Sequence, residues 1–440
     1  MNNISKLKTR EYFPFAAMLA VNIGFILIAF IVDTPANIME GFIAIITSRS
    51  ILITDYVAIG GVGAAMLNIG IVGLAGTSMM LRIGVKPTGL NIMGLWLSIG
   101  FAFFGKNVFN MIPLTFGVWL FAKYCRKPFS DYYLAALLVA TLSPTISEIA
   151  FMGRLSPLVE IPLGIAMGFG VGFIFPVISA ESVKTHNGFN LYNMGFSGGL
   201  IATVLSTLFR NFGVEVERGT GLSYGHNAFF AILMYGIAVY MLLLGFLSDW
   251  GVKDLLKTEM KNIRGFFKIH SHSGKLTTDF YHMYGNSIYI NMAVLCALGT
   301  TVVLIMGGDL NGPNLAGILT MAGFGSLGKH FKNVMPIMIG AIISSYANNW
   351  VNSGEISLIL TDPNTYLIMI LFSSGLAPFA GEHGLGWGIV AGFLHVNVAS
   401  YIGDLNMGLN LYNNGFAASF VVMFLLPIVM LSKNKTQFRR

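Results

Sequence analysis

Gly188-Phe-Asn-Leu-Tyr-Asn-Met-Gly-Phe196 returns further along the chain as Gly408-Leu-Asn-Leu-Tyr-Asn-Asn-Gly-Phe416. Between 188–199 and 408–419, seven of twelve positions are identical. Each copy opens an apolar run long enough to cross a bilayer. A polar cluster set twice at the mouth of a membrane helix implies two pseudo-symmetric halves, and the rest of the chain is read outward from that pair.

Composition sets the solvent. Of 440 residues, 55% are hydrophobic and 10% charged, where a soluble domain carries about 25% charged residues. Mean hydropathy is +0.72. Apolar runs of about 20 residues recur from end to end, which predicts an all-α polytopic membrane protein. The ten-residue alternation of barrel strands is absent. The net charge of +7 sits in loops, so the positive-inside rule accounts for it and nucleic-acid binding is not expected. Cys125 and Cys296 give neither a disulfide framework nor a metal spacing, and no cofactor or metal is expected. No small-residue cleavage site follows the first apolar run, so Tyr12–Val32 reads as a retained span.

Fourteen spans are expected, near 12–32, 56–81, 88–104, 107–123, 132–152, 160–180, 189–209, 227–247, 286–306, 311–327, 331–349, 365–383, 385–403 and 409–431. With the N-terminus in the cytoplasm and every segment crossing once, inside loops hold 21 of the 26 basic residues, the asymmetry that the positive-inside rule demands. Both termini are then cytoplasmic. Lys106 counts among the few outside loop charges. The first repeat is 12–209 and the second 227–432, the latter including a cytoplasmic linker over 250–285. Within it Val252–Phe267 has helical apolar spacing and is expected on the membrane surface, as part of a plain connector.

A shift of 223 lays Asn68–Pro113 on Asn291–Pro336 without a gap, with 14 of 46 positions identical. The matches include Asn68/Asn291, Gly89/Gly312, Asn91/Asn314, Gly105-Lys106/Gly328-Lys329 and Asn110/Asn333. Leu142-Ser-Pro-Thr-Ile-Ser-Glu148 echoes Leu376-Ala-Pro-Phe-Ala-Gly-Glu382. Seven crossings separate equivalent spans, and seven is odd, so equivalent helices point in opposite directions. Such an inverted seven-plus-seven repeat is characteristic of secondary transporters.

The candidate site residues follow from polarity inside the apolar slab. Spans three and ten are short and open with helix breakers around Asn91 and Asn314, so their free N–H ends are candidates to hold an anion or polar solute at mid-membrane. Pro144 and Pro378 lie deep in spans five and twelve, each four residues before a carboxylate, Glu148 or Glu382. A carboxylate there costs about 2.5–3.5 kcal/mol and suggests proton or cation coupling, or capture of a substrate donor. The alternative places each Glu at a helix end near the interface. His395 and Asn397 in span thirteen break the symmetry and are candidates for recognition, or else hydrogen-bond partners between helices. Asn190, Tyr192 and Asn193, with Asn410, Tyr412 and Asn413, offer amide and hydroxyl groups to a polar solute or a dehydrated cation. Capping of the helices that follow is the other reading of these asparagines.

The repeated Gly-x-Asn-Leu-Tyr-Asn, the two proline–glutamate spans and the length resemble the DUF1576 family, bacterial multispanning proteins of unassigned function with an internal duplication. The resemblance implies residence in the bacterial cytoplasmic membrane and carries no activity over. The short third and tenth spans also give an architecture similar to the uracil-permease and sulfate-transporter type of carriers, by analogy alone. The expected function is secondary active transport of a small polar solute coupled to H⁺ or Na⁺, and the composition is compatible with a homodimer in the lipid bilayer. Two other classes compete: a passive channel and an intramembrane hydrolase built on Gly195-Phe-Ser-Gly198 with Ser197 and His395. No nucleotide-binding loop is present, and the chain is not expected to be an enzyme.

Overall fold

The computed structural model describes residues 12–214, 221–247 and 255–438. Among them the regular structure is helical, with one isolated β-bridge between Asp279 and Leu327. The first half contains α1 (Phe13–Val32), α2 (Pro35–Thr47), α3 (Tyr56–Arg82), α4 (Gly89–Phe101), α5 (Val108–Tyr124), α6 (Tyr133–Leu138), α7 (Ser143–Ala150), α8 (Pro157–His186) and α9 (Asn193–Asn211). The second contains α10 (Asn227–Leu247), α11 (Leu255–Ile269), α12 (Phe280–Tyr284), α13 (Ser287–Ile305), α14 (Gly312–Gly323), α15 (Phe331–Ser353), α16 (Pro363–Ser373), α17 (Ala377–His383), α18 (Leu385–Leu405) and α19 (Asn413–Phe438).

Among the described residues nine stretches are long and apolar enough to span a membrane: α1, α3, α6 to α7, α8, α10, α13, α16 to α17, α18 and α19. The remaining five expected spans, at α4, α5, α9, α14 and α15, are helices that do not meet that measure. Ile23, Leu27 and Phe30 of α1, and Ile232 and Val239 of α10, point outward. An apolar surface of this kind suits lipid and not water. The chain is a multi-spanning α-helical membrane protein.

Both proline-containing spans are broken, for a local reason. Pro144 and Pro378 sit in the first turn of new helices, α7 and α17, each after a 3₁₀ turn. A proline cannot bond the carbonyl four residues back. Here that carbonyl is taken by the tighter turn: Ser143 N–H donates to Ala140, and Ala377 N–H to Ser374.

The 250–285 stretch corrects the sequence reading. Leu255–Ile269 is helical, as expected (Val252 lies outside the described residues), but it is no plain connector. Its counterpart is α2, a helix not expected between the first two spans. With a shift of 224, Gly41-Phe42, Ile45, Leu52 and Thr54-Asp55 fall on Gly265-Phe266, Ile269, Leu276 and Thr278-Asp279. Ile45 and Ile269 are both fully buried. Gly41 packs against Gly60 and Gly265 against Ser287, leaving no room for a side chain at either glycine.

The same contacts recur in the two halves. Asn68 on α3 donates to Ala102 O and Lys106 O at 2.8 and 3.0 Å, and Asn291 on α13 donates to Gly325 O and Lys329 O at 2.8 and 2.7 Å. These amides satisfy the carbonyls left over where α4 and α14 end. Helix α5 opens with a reciprocal cap between Asn107 and Asn110, and α15 with one between His330 and Asn333. Helices α4 and α14 pack side by side. Gly89 lies on Ser326, Gly100 on Ala316 and Gly312 on Phe103, so the two run antiparallel.

Candidate functional site

The centre of the molecule is an aromatic cluster, built by the two Asn-Leu-Tyr-Asn segments where α9 and α19 cross at their N-terminal ends. Gly195 abuts Tyr412 and Gly415 abuts Tyr192, close approaches that a Cβ would block. Asn190 Nδ2 donates to Gly415 O at 2.8 Å, and Asn410 Nδ2 to Gly195 O at 3.0 Å. Leu191 N–H donates to Gly375 O, and Leu411 N–H to Thr141 O. Each segment is thus pinned to the opposite half by its amide and its backbone. The Tyr192 and Tyr412 rings meet at 4.5 Å between centroids. Phe324 packs on Tyr192 and Phe101 on Tyr412, each pair at 5.1 Å.

Lys329 borders this row, and Lys106 is its equivalent in the other half. Each follows the end of a short helix, α4 or α14, and each is buried, with 1% and 0% of its surface exposed. Lys329 Nζ donates to Tyr192 Oη and to Ser374 Oγ, the latter at 2.8 Å, and lies over the Tyr192 and Phe324 rings. Lys106 Nζ donates to Ser98 Oγ at 2.6 Å and to Leu137 O at 3.3 Å. The asymmetry is written in the sequence: Ser374 has Ala140 as its counterpart, and Ser98 has Met321. Among the described residues neither lysine has a carboxylate within ion-pair distance. The Tyr412 hydroxyl is buried and faces Tyr192. Lys106, counted in sequence as an outside loop charge, is a core residue.

Two equivalent loops close the ends of the α4/α14 pair. Loop 48–56 meets the end of α4, with Tyr56 N–H on Phe103 O, and the start of α14, where Asp55 lies against Gly312. Loop 270–280 meets the start of α4, where Gly89 N–H donates to both Asp279 oxygens at 3.0 and 2.9 Å. It then pairs Asp279 with Leu327 at the end of α14. Leu52 N–H donates to Gly408 O at 2.9 Å, and Leu276 N–H to Gly188 O at 3.0 Å. Both of these glycines have positive φ, +71° and +76°, which frees their carbonyls for the loop. Each loop also carries a cation: Arg49 on Glu148 at 2.7 Å, and Lys275 near Glu382 at 3.7 Å. A helix of 13 residues is about 20 Å long, and that length separates the loops.

The sequence-predicted residues fall into three groups. Tyr192 and Tyr412, with Asn190 and Asn410, converge at the centre. Asn193 and Asn413 brace the ends of preceding helices, through His186 and Asn406 at 2.9 and 2.6 Å. Asn91 and Asn314 brace the loops that enter the short helices, on Lys86 O and Asp309 O at 2.8 Å each. The others lie apart. Glu148 is buried against Arg49, but Glu382 is exposed, so only one of the two carboxylates is inside the protein. At the start of α4, the N–H of Gly89 holds the protein's own Asp279. His395 bonds Asn414 at 3.0 Å and Asn397 bonds Ser344 at 2.8 Å. Ser197 bonds Ser182 and Asn193 O, so no hydrogen bond joins it to His395. Among the described residues no cluster of three His, Cys, Asp or Glu side chains is placed to hold a metal ion.

Sequence reasoning missed the lysines as core groups, and missed Arg49, Asp55 and Asp279 as loop anchors. A signal existed for both sets: Lys106 and Lys329 coincide in the 223 frame, and the aspartates coincide in the 224 frame.

A family model described as a protein of unknown function, DUF1576, matches residues 34–211 and 258–431, one segment in each half. The first segment opens at α2 and the second within α11, the pair related by the 224 shift. No curated protein and no solved structure matches the chain.

Proposed function

The chain belongs to the DUF1576 family, whose function is unknown, and we propose that it is a secondary carrier of a small polar solute. Its fourteen helical spans form two inverted halves. Loops 48–56 and 270–280 are the two gates of the transport path, and the Tyr192–Tyr412 row is the barrier between them. One observation carries the reading: each gate binds the other half at two positions, and the two positions it uses are the equivalents of the two its twin uses. Leu52 and Asp55 reach Gly408 and Gly312, while Leu276 and Asp279 reach Gly188 and Gly89. Two devices of one design at opposite ends of an antiparallel helix pair are what alternating access requires, since exchanging the conformations of the halves moves the opening from one face to the other. Both gates are engaged here, which corresponds to a closed intermediate. Coupling to H⁺ or Na⁺ belongs to the same proposal, with Glu148 as the buried carboxylate nearest in kind to a coupling group.

The test needs no known solute. In protein freed of Cys125 and Cys296, Ser374→Cys is exposed to a charged thiosulfonate from either face of a vesicle. The carrier reading expects slow labelling from each face and no steady current across a planar bilayer. Labelling from neither face, or a sustained current of the kind an open channel gives, contradicts it.

A further inference from the structure

We infer that Lys106 and Lys329 are paired binding positions for a small anion, one just past the end of each short helix. The inference deepens the carrier reading and rests on it for passage, though not for binding. An ammonium taken out of water is normally compensated by a carboxylate, because the unpaired charge is otherwise costly to bury. Here two lysines at equivalent positions are buried with only hydroxyls and one carbonyl around their Nζ atoms. The acidic groups of the surrounding elements are engaged elsewhere. Asp55 is held by Val57 N–H and by Ser223, Asp279 by Gly89 and His282 N–H, and Glu148 by Arg49. What each lysine lacks is a mobile negative charge.

The Lys329 position is the richer in hydroxyls. Tyr192 accepts a hydrogen bond from Lys329 and lies 3.2 Å from Ser374 Oγ, and the fully buried Tyr412 hydroxyl faces Tyr192. Each position thus offers an ammonium and hydroxyl donors and no bidentate guanidinium. That donor set suits a compact monoanion, such as a halide, nitrate or a short carboxylate, better than a phosphate ester. Phe101, Phe324 and Phe372 pack around the row and restrict the guest to a few heavy atoms.

The test is thermal unfolding of the purified full chain in detergent. The sodium salts of chloride, nitrate, formate and acetate are compared with gluconate at equal ionic strength. At least one small anion is expected to raise Tm by ~2 °C near tenfold its Kd. The double variant K106M/K329M is expected to lose that shift. S374A, which removes a hydroxyl from the Lys329 position, is expected to fold as well as the parent and to bind the anion several-fold more weakly. The inference is overturned if no small anion exceeds gluconate, if the double variant keeps the full shift, or if S374A binds as tightly as the parent. Should the lysine variants fail to fold, S374A alone decides between these outcomes. An anion that binds but is not exchanged across vesicles would sink the carrier reading and leave the sites; exchange of an uncharged solute with no anion binding would do the reverse.

Discussion

Replacing Asn190 by alanine removes three hydrogen bonds at the crossing of α9 and α19. The amide donates to Gly415 O and Ser419 Oγ and accepts from Tyr192 N–H, all at 2.8 Å. The site is fully buried, so no water replaces the lost partners. At about 1 kcal/mol net per bond, plus about 1 kcal/mol for the small void, Asn190→Ala should cost about 3–4 kcal/mol. Asn410→Ala should cost nearly as much. That amide bonds Gly195 O at 3.0 Å, Thr141 Oγ1 at 2.6 Å and Tyr412 N–H at 3.2 Å. Asn190→Asp should be at least as damaging as alanine, because it turns an oxygen toward the Gly415 carbonyl and buries a charge. The assay is unfolding by SDS titration in mild detergent, followed by the fluorescence of the five tryptophans. Asn91→Ala serves as the control, since its side-chain amide makes one hydrogen bond at a partly exposed loop and should cost about 1 kcal/mol or less. Asn190→Ala within about 1 kcal/mol of the parent, or Asn190→Asp more stable than Asn190→Ala, would refute the claim that these amides pin the two halves together.

Three other outcomes follow from the same contacts. Arg49→Met should destabilise by about 2–3 kcal/mol because it takes a charged partner from the buried Glu148, whereas Lys275→Met, whose partner Glu382 is exposed, should cost under about 1 kcal/mol; equal losses in the SDS titration would contradict the difference in burial. At Gly415 an added Cβ would lie 2.6 Å from Tyr192 O, so Gly415→Ala should cost about 1–3 kcal/mol by overpacking, and Gly195→Ala should match it in the same assay. In the pair Gly188→Cys and Leu276→Cys the two Cβ atoms would stand 3.8 Å apart, within disulfide range. Oxidation should shut that gate and stop labelling of Ser374→Cys from its face, with recovery on reduction; unchanged labelling would remove loop 270–280 from the path.

Much of this architecture is legible in the sequence. The repeated Asn-Leu-Tyr-Asn segments fix where the halves meet, and the prolines mark where spans five and twelve break, because both features are local. What escaped reading depends on tertiary placement. A lysine in the sequence looks like a loop charge to any count of topology, and only the packing of Ser98, Ser374 and Tyr192 around Nζ makes Lys106 and Lys329 core groups. Glu148 and Glu382 occupy the same place in their motifs, yet one helix end is covered by Arg49 and the other faces outward. The two equivalent loops were hidden by their frame. The match of α2 to α11 needs a shift of 224 where the neighbouring spans need 223, and the basic face of α11 disguised it as a connector.

The central claim is that the two halves are mounted upside down relative to each other. Glu40 on α2 and Arg264 on α11 occupy equivalent, exposed positions. Single cysteines at each, in protein lacking Cys125 and Cys296, are treated with a membrane-impermeant maleimide in sealed vesicles of known orientation. Opposite-face labelling, with Arg264→Cys on the cytoplasmic side and Glu40→Cys on the other, is the predicted result. Labelling of both cysteines from one face would contradict it.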